Sequence, residues 1–179
     1  GRREYATPNI DRIAAGGMRF LQAYANSAVC SASRTAIITG RYQDRLPVGL
    51  EQPILARDDG MIVGLPPGLP TLPTQLQKAG YGTTLVGKWH LGLGQGRLDW
   101  NTEIRPGPID VGFNSNFIMA ATGDRVPCVF VRDRSVVRLH PGDPIRVSYA
   151  APVGDEPTGK AHPELLRMHP SHGHDQTII

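Results

Sequence analysis

Four side chains in this sequence have the types and spacing to do chemistry together: Cys30, Arg34, Lys88 and His90. Residues Ser31 to Thr39 follow a helical pattern closed by Gly40, which puts Cys30 at or just before a helix N terminus. Unpaired N–H groups and the helix dipole make such a place positive. A thiol there is acidified and reactive. Arg34 follows four residues later, on the same helical face. A nucleophile, an anion hole and a fixed guanidinium together suit a tetrahedral oxyanion such as sulfate or phosphate. Lys88 and His90 lie two apart at the end of a predicted strand, so both side chains leave one face, and a cation beside an imidazole can hold an oxyanion. Singly, neither pair is specific. A lone Cys-x-x-x-Arg is more often a buried, inert cysteine beside a surface arginine, and a lone Lys-x-His is more often surface.

Several elements must position these residues. Thr7-Pro8-Asn9 opens a short predicted helix, with Thr7 as N-cap and Pro8 in the favoured first position, ended by Gly16-Gly17. Met18 to Ala25 reads as a strand apolar enough to be buried, followed by a turn at residues 26–29. The helix carrying Cys30 comes next, then a proline- and glycine-rich loop over residues 46–70. Long loops of that kind are usually functional or mobile. A helix over Thr71–Gly80 and a β-branched strand over Thr83–Lys88 lead into a turn with Gly92, Gly94 and Gly96. This rhythm is that of an α/β sheet. Beyond residue 110, Pro127–Val131 and Ser135–Leu139 read as two strands around a turn, and Pro163–Arg167 as a short helix in a Pro/Gly/His-rich stretch.

The bulk numbers exclude some classes. With 179 residues the chain can bury one real core. Its net charge of +3 is spread without a basic run, and aromatics are few, so nothing argues for nucleic acid. Its 21 glycines and 16 prolines make a little over a fifth of the residues, below the roughly 25–30% of disordered chains. Cys30 and Cys128 form no zinc spacing, and no apolar run reaches the ~18 residues of a membrane span. No signal peptide is seen. The chain opens without Met and stops as another element begins, so it reads as an N-terminal piece of a longer protein.

Cys30-Ser31-Ala32-Ser33-Arg34-Thr35-Ala36-Ile37-Ile38-Thr39-Gly40-Arg41 resembles the type I sulfatase signature C-x-[PA]-S-R-x-x-[LI]-x-T-G-R, with Ala32 where Pro is more frequent. Gly87-Lys88-Trp89-His90-Leu91-Gly92 is similar to that family's G-K-W-H-L-G, and Thr7-Pro8-Asn9-Ile10-Asp11-Arg12 to its run into the cysteine. The similarity is clear over residues 7–95. It implies an α/β fold: a partial alkaline-phosphatase-like sandwich with a mostly parallel central sheet, incomplete in this chain. Residues 1–125 would be the N-terminal part of the catalytic domain, and 126–179 a strand pair and loop-rich excursion of the same domain. It also implies that a maturation enzyme oxidises Cys30 to formylglycine. The hydrated aldehyde attacks sulfur, the alcohol leaves, and the second hydroxyl then expels sulfate, so one hard step becomes two. Arg34 would hold the diol, Lys88 would neutralise sulfate oxygens, and His90 would hydrogen-bond the diol or the sulfate. The family's Ca²⁺ would meet only position 30 here, its carboxylate and amide ligands lying outside the chain. The partners implied are a sulfated small molecule or glycan and the maturation enzyme, in a periplasmic or secreted setting.

Ala121–Arg125 falls where the family often places substrate-pocket residues, which makes Thr122 and Asp124 candidate substrate contacts, with plain turn residues as the default. His172-Gly173-His174-Asp175 lacks a fourth metal ligand and reads as a pocket edge or surface, with His174 the candidate contact. Trp89 is expected to pack, Cys128 to be a buried strand residue, and Asp110, Asp143 and Asp155 to be loop acids without identifiable partners. Three rival functions share these residues: a phosphate or phosphonate ester hydrolase of the same superfamily, a cysteine hydrolase using Cys30 with His90, and a non-catalytic binder of sulfated glycans.

Overall fold

The computed structural model describes residues 4–46, 60–123, 127–148, 153–155, 157–159 and 161–165. Three α-helices, α1 (Pro8–Gly16), α2 (Cys30–Thr39) and α3 (Leu72–Lys78), accompany four strands: β1 (Thr84–Lys88), β2 (Ser115–Met119), β3 (Phe130–Arg132) and β4 (Ser135–Val136). The strands form one sheet in the order β1-β2-β3-β4. β1 and β2 run parallel, with Thr84 opposite Ser115 and Lys88 opposite Met119, and β3 and β4 add an antiparallel hairpin. The expected α/β class is present, and its parallel part among the described residues is the β1–β2 pair.

The core lies on one face of this sheet. Ile118, Val131 and Val136 point into it and meet Leu91, Trp89, Trp100, Ile104 and Val111. Each such side chain, fully buried, contributes about 1.5–3 kcal/mol of hydrophobic stabilisation. α3 begins with a capping box in which Thr71 and Thr74 satisfy each other's backbone N–H groups. The Thr71 hydroxyl also donates to the Val111 carbonyl at 2.6 Å, docking the helix start on a 3₁₀ turn at Pro108–Val111. That turn holds Asp110, whose carboxylate takes the Arg134 guanidinium at 2.6 Å and the Gly107 N–H at 2.8 Å. The sequence reading gave Asp110 no partner. Arg134 is 24 residues away and is delivered by the β3–β4 turn, which no local pattern reveals.

Three further expectations need correction. Met18 to Ala25 is not a strand, and Met18, Phe20, Leu21 and Tyr24 are all exposed. A strand needs a neighbouring ladder, and no described strand pairs with this segment, although β1 leaves one sheet edge open. Cys128 is exposed and precedes β3, because the β2–β3 ladder reaches only from Phe130 to Arg132. β2 itself is absent from the sequence reading. Its opening Ser115-Asn116 looks like a turn, yet Asn116 is buried and bonded to both the side chain and the carbonyl of Asp133. Part of the 46–70 loop (47–59), the end of the Pro163–Arg167 segment and the whole His172–Asp175 cluster lie outside the described residues.

Candidate active site

α2 starts at Cys30, with Val29 as N-cap in extended conformation and no side chain capping the end. The N-cap residue therefore offers the first-turn N–H groups no side-chain acceptor. Gly40 closes the helix in the left-handed conformation, φ 65°, its N–H donating to Ala36. α2 buries Ser31, Ala32, Thr35, Ile38 and Thr39 and leaves Cys30 exposed.

The second half of the site sits where β1 ends. The Arg34 guanidinium donates to the Lys88 carbonyl at 2.7 Å, and the buried Ser31 hydroxyl donates to the His90 carbonyl at 2.7 Å. From the other side, β2 extends its ladder past the strand: Trp89 N–H donates to Met119 and His90 N–H to Ala120, both at 2.9 Å. Residues 88–90 are thus pinned between a helix face and a neighbouring strand. Trp89 is buried, as expected, and its indole N–H donates to the Gly92 carbonyl. The alternation rule, however, stops at Lys88. β1 ends there, and His90 takes a left-handed φ of 53°.

The turn that follows is locked by direct backbone contact. A Cβ on Gly92 would lie 2.2 Å from the Val63 carbonyl oxygen, and one on Gly64 2.0 Å from that of Leu91. Val63 N–H donates to Gly94 and Gly96 N–H to Met61, so residues 61–64 brace the turn from below.

Electrostatically the cluster is one-sided. The Lys88 side chain is the strongest influence on the Cys30 thiol, and it holds the thiol below the ordinary cysteine value. The slight burial pushes the other way, and the positive charges of Lys88 and Arg34 add to the lowering. A thiolate, sulfate or phosphate oxygen would be stabilised at the same place. Among the described residues no carboxylate pairs with Arg34 or Lys88.

The structure therefore joins Cys30, Arg34 and Lys88 and ties His90 to the same helix. Thr122 lies two residues past Ala120, the acceptor for His90 N–H, with its hydroxyl oxygen buried. Asp124 and His174 are outside the described residues. Ser31 was missed by sequence reasoning. It occupies a variable place in the cysteine signature, and only the fold brings it to His90.

The sulfatase family model matches residues 1–102. The chain belongs to the sulfatase family. It is 44% identical to an N-acetylgalactosamine-6-O-sulfatase of Bacteroides thetaiotaomicron over 180 residues, covering 100% of this chain and 34% of that protein. It is 35% identical to human steryl-sulfatase over 130 residues, covering 70% and 21%. A solved structure from work on glycosaminoglycan metabolism in Bacteroides thetaiotaomicron superposes with a TM-score of 0.77 at 44% identity, over 92% of this chain and 33% of that one. The fold is thus sulfatase-like, of the alkaline-phosphatase type, and partial: the chain spans about a third of the length of the Bacteroides thetaiotaomicron relative and of that solved structure.

Proposed function

We propose that the polypeptide carrying this chain hydrolyses sulfate esters, with 6-sulfated N-acetylgalactosamine in glycosaminoglycans as its substrate. The observation that carries the chemistry is the exposed Cys30 at the uncapped start of α2, with Arg34 of the same helix clamped to the Lys88 backbone. The substrate proposal rests on the 44% identity to a relative of that specificity.

Formylglycine at position 30, once formed by a maturation enzyme, would supply a hydrated-aldehyde hydroxyl as the nucleophile toward sulfur. Its place fits, because position 30 is exposed and faces cations. Lys88 would neutralise the sulfate oxygens as charge builds on them. Arg34, held in register by its bond to the Lys88 carbonyl, would orient the group at position 30. His90 would hydrogen-bond the diol or the departing sulfate.

Calcium is a different matter. Among the described residues no three His, Cys, Asp or Glu side chains gather, and the neighbours of position 30 are cations. These residues do not build a Ca²⁺ site by themselves. The ion would need carboxylates from outside them.

The test is to produce the longest reading frame containing this sequence with a formylglycine-generating enzyme. Hydrolysis of N-acetylgalactosamine 6-sulfate and of matched aryl sulfate and phosphate esters would then be compared. Faster turnover of the phosphate ester would replace this reading with the phosphoesterase one. Undiminished activity with an intact Cys30 thiol in the peptide mass spectrum would remove the formylglycine step.

A further inference from the structure

We propose that Ser31 is a positioning residue for His90, acting through the His90 carbonyl; this rests on the sulfatase reading of His90. Ser31 is completely buried, and its hydroxyl donates to that carbonyl at 2.7 Å across 59 residues of sequence. A serine in the first turn of a helix usually bonds back to its own backbone. Here no side chain caps α2, and the Ser31 hydroxyl reaches out instead.

His90 needs such a hold. Its φ of 53° lies in the left-handed region, which a residue with a side chain keeps only when its surroundings impose it. β2 fixes one side of the residue through the bond from His90 N–H to Ala120. The other side, the peptide between His90 and Leu91, is fixed by Ser31. Without the hydroxyl, the His90 carbonyl loses this donor, and rotation of that peptide toward ordinary extended backbone is less resisted. The rotation would swing the imidazole out of its place. Because Ser31 follows Cys30 directly, the same bond sets the distance between the nucleophile's helical turn and His90.

The experiment uses the full enzyme with Ser31→Ala, Ser31→Thr, His90→Ala and the Ser31→Ala/His90→Ala pair. Ser31 lies within the maturation signature, so rates are expressed per oxidised position 30, measured by peptide mass. Ser31→Ala is expected to lower kcat on an aryl sulfate about ten-fold or more while KM stays within about two-fold, the mark of a displaced group felt in the transition state. Ser31→Thr, which keeps the hydroxyl, should recover most of that loss. In the His90→Ala background, Ser31→Ala should cost no further rate, because it acts only through His90. Equal rate losses in both backgrounds would reduce Ser31 to packing and overturn the proposal, as would a wild-type kcat for Ser31→Ala. A second readout is independent of turnover: the ¹⁵N-histidine side-chain resonances assigned to His90 should move in Ser31→Ala. If the wild-type enzyme hydrolyses no sulfate ester, the sulfatase reading fails by itself. An unmoved His90 resonance would then overturn the positioning role separately.

Discussion

Replacing Gly92 by Ala should damage the site more than its distance from the chemistry suggests. The new Cβ would sit 2.2 Å from the Val63 carbonyl oxygen, 2.5 Å from the Val63 carbonyl carbon and 2.6 Å from Gly64 Cα. Ordinary contact begins near 3.4 Å, so the backbones must part by about an ångström, and no flexible side chain is there to yield. Val63 is tied to the same turn by the bond from its N–H to the Gly94 carbonyl. Overpacking of this kind costs about 1–3 kcal/mol. The left-handed φ of 76° adds about 1–2 kcal/mol for an L residue. Gly40→Ala separates the two contributions. Gly40 has φ 65°, but a Cβ there would meet nothing within 4 Å, so it bears only the conformational cost. Thermal unfolding of both variants of the full enzyme should show Gly92→Ala clearly the less stable. Its kcat should also fall, up to about 10²-fold, because a shift of roughly 1 Å in residues 91–92 is passed to His90. Equal melting temperatures and equal kcat for the two variants would refute the claim that backbone contact between residues 63–64 and 91–92 positions the site.

Three other outcomes follow from the same geometry. Cys30→Ala should abolish turnover, and Lys88→Ala should lower kcat by about 10²–10³ with a smaller change in KM, since oxyanion contacts strengthen in the transition state; steady-state kinetics on an aryl sulfate would check both, with Arg34→Lys also impaired for want of a guanidinium fork. Asp110→Asn should cost about 1.5–3 kcal/mol by weakening charge-assisted hydrogen bonds. Burial pushes the Asp110 carboxyl up, but Arg134 and the Gly107 N–H outweigh it and hold it below its ordinary 3.8. Stability from this carboxylate is therefore complete above that ordinary value and is lost as pH falls through the lowered folded value, so the melting-temperature gap between wild type and Asp110→Asn should close on acidification from about pH 5 downward. Residues 1–179 expressed alone should show no aryl sulfatase activity and no calcium-dependent thermal shift; calcium-dependent turnover would mean that acids of this chain, such as Asp124 or Asp175, bind the metal.

How far the sequence revealed the site depended on the range of the interactions. α2, α3 and β1 announce themselves by local pattern: Gly40 and the Thr71-Leu72-Pro73-Thr74 start are stop and start signals that act within one turn. The cation cluster was legible because its members sit in two short signatures. What stayed hidden depends on partners far along the chain. Asp110 with Arg134, Asn116 with Asp133 and Ser31 with His90 are each made only when the sheet is assembled. The segment from Met18 to Tyr24 failed in the opposite sense. Its composition suits a buried strand, but burial is a property of neighbours, and none of the described strands lies beside it.

That failure and the one-sided charge of the site both concern neighbours absent among the described residues. A parallel strand pair is normally covered on both faces. Among the described residues, only the face with Ile118 and Val131 is packed, while Val86 and Phe130 are exposed. Phe117 stacks on Phe130 with the Arg132 guanidinium over its ring, which shelters part of this surface and leaves the rest to water. The apolar residues of 18–24 and the open edge of β1 are likewise surfaces with no gain until something covers them. At the site, Lys88 and Arg34 gather positive charge without a described carboxylate to balance it. The chain spans about a third of the length of the Bacteroides thetaiotaomicron relative and of the solved structure. Apolar faces call for covering elements, and cations call for anions. Cys30, Arg34, Lys88 and His90 all fall in one contiguous stretch of sequence, and among the described residues no carboxylate pairs with its two cations.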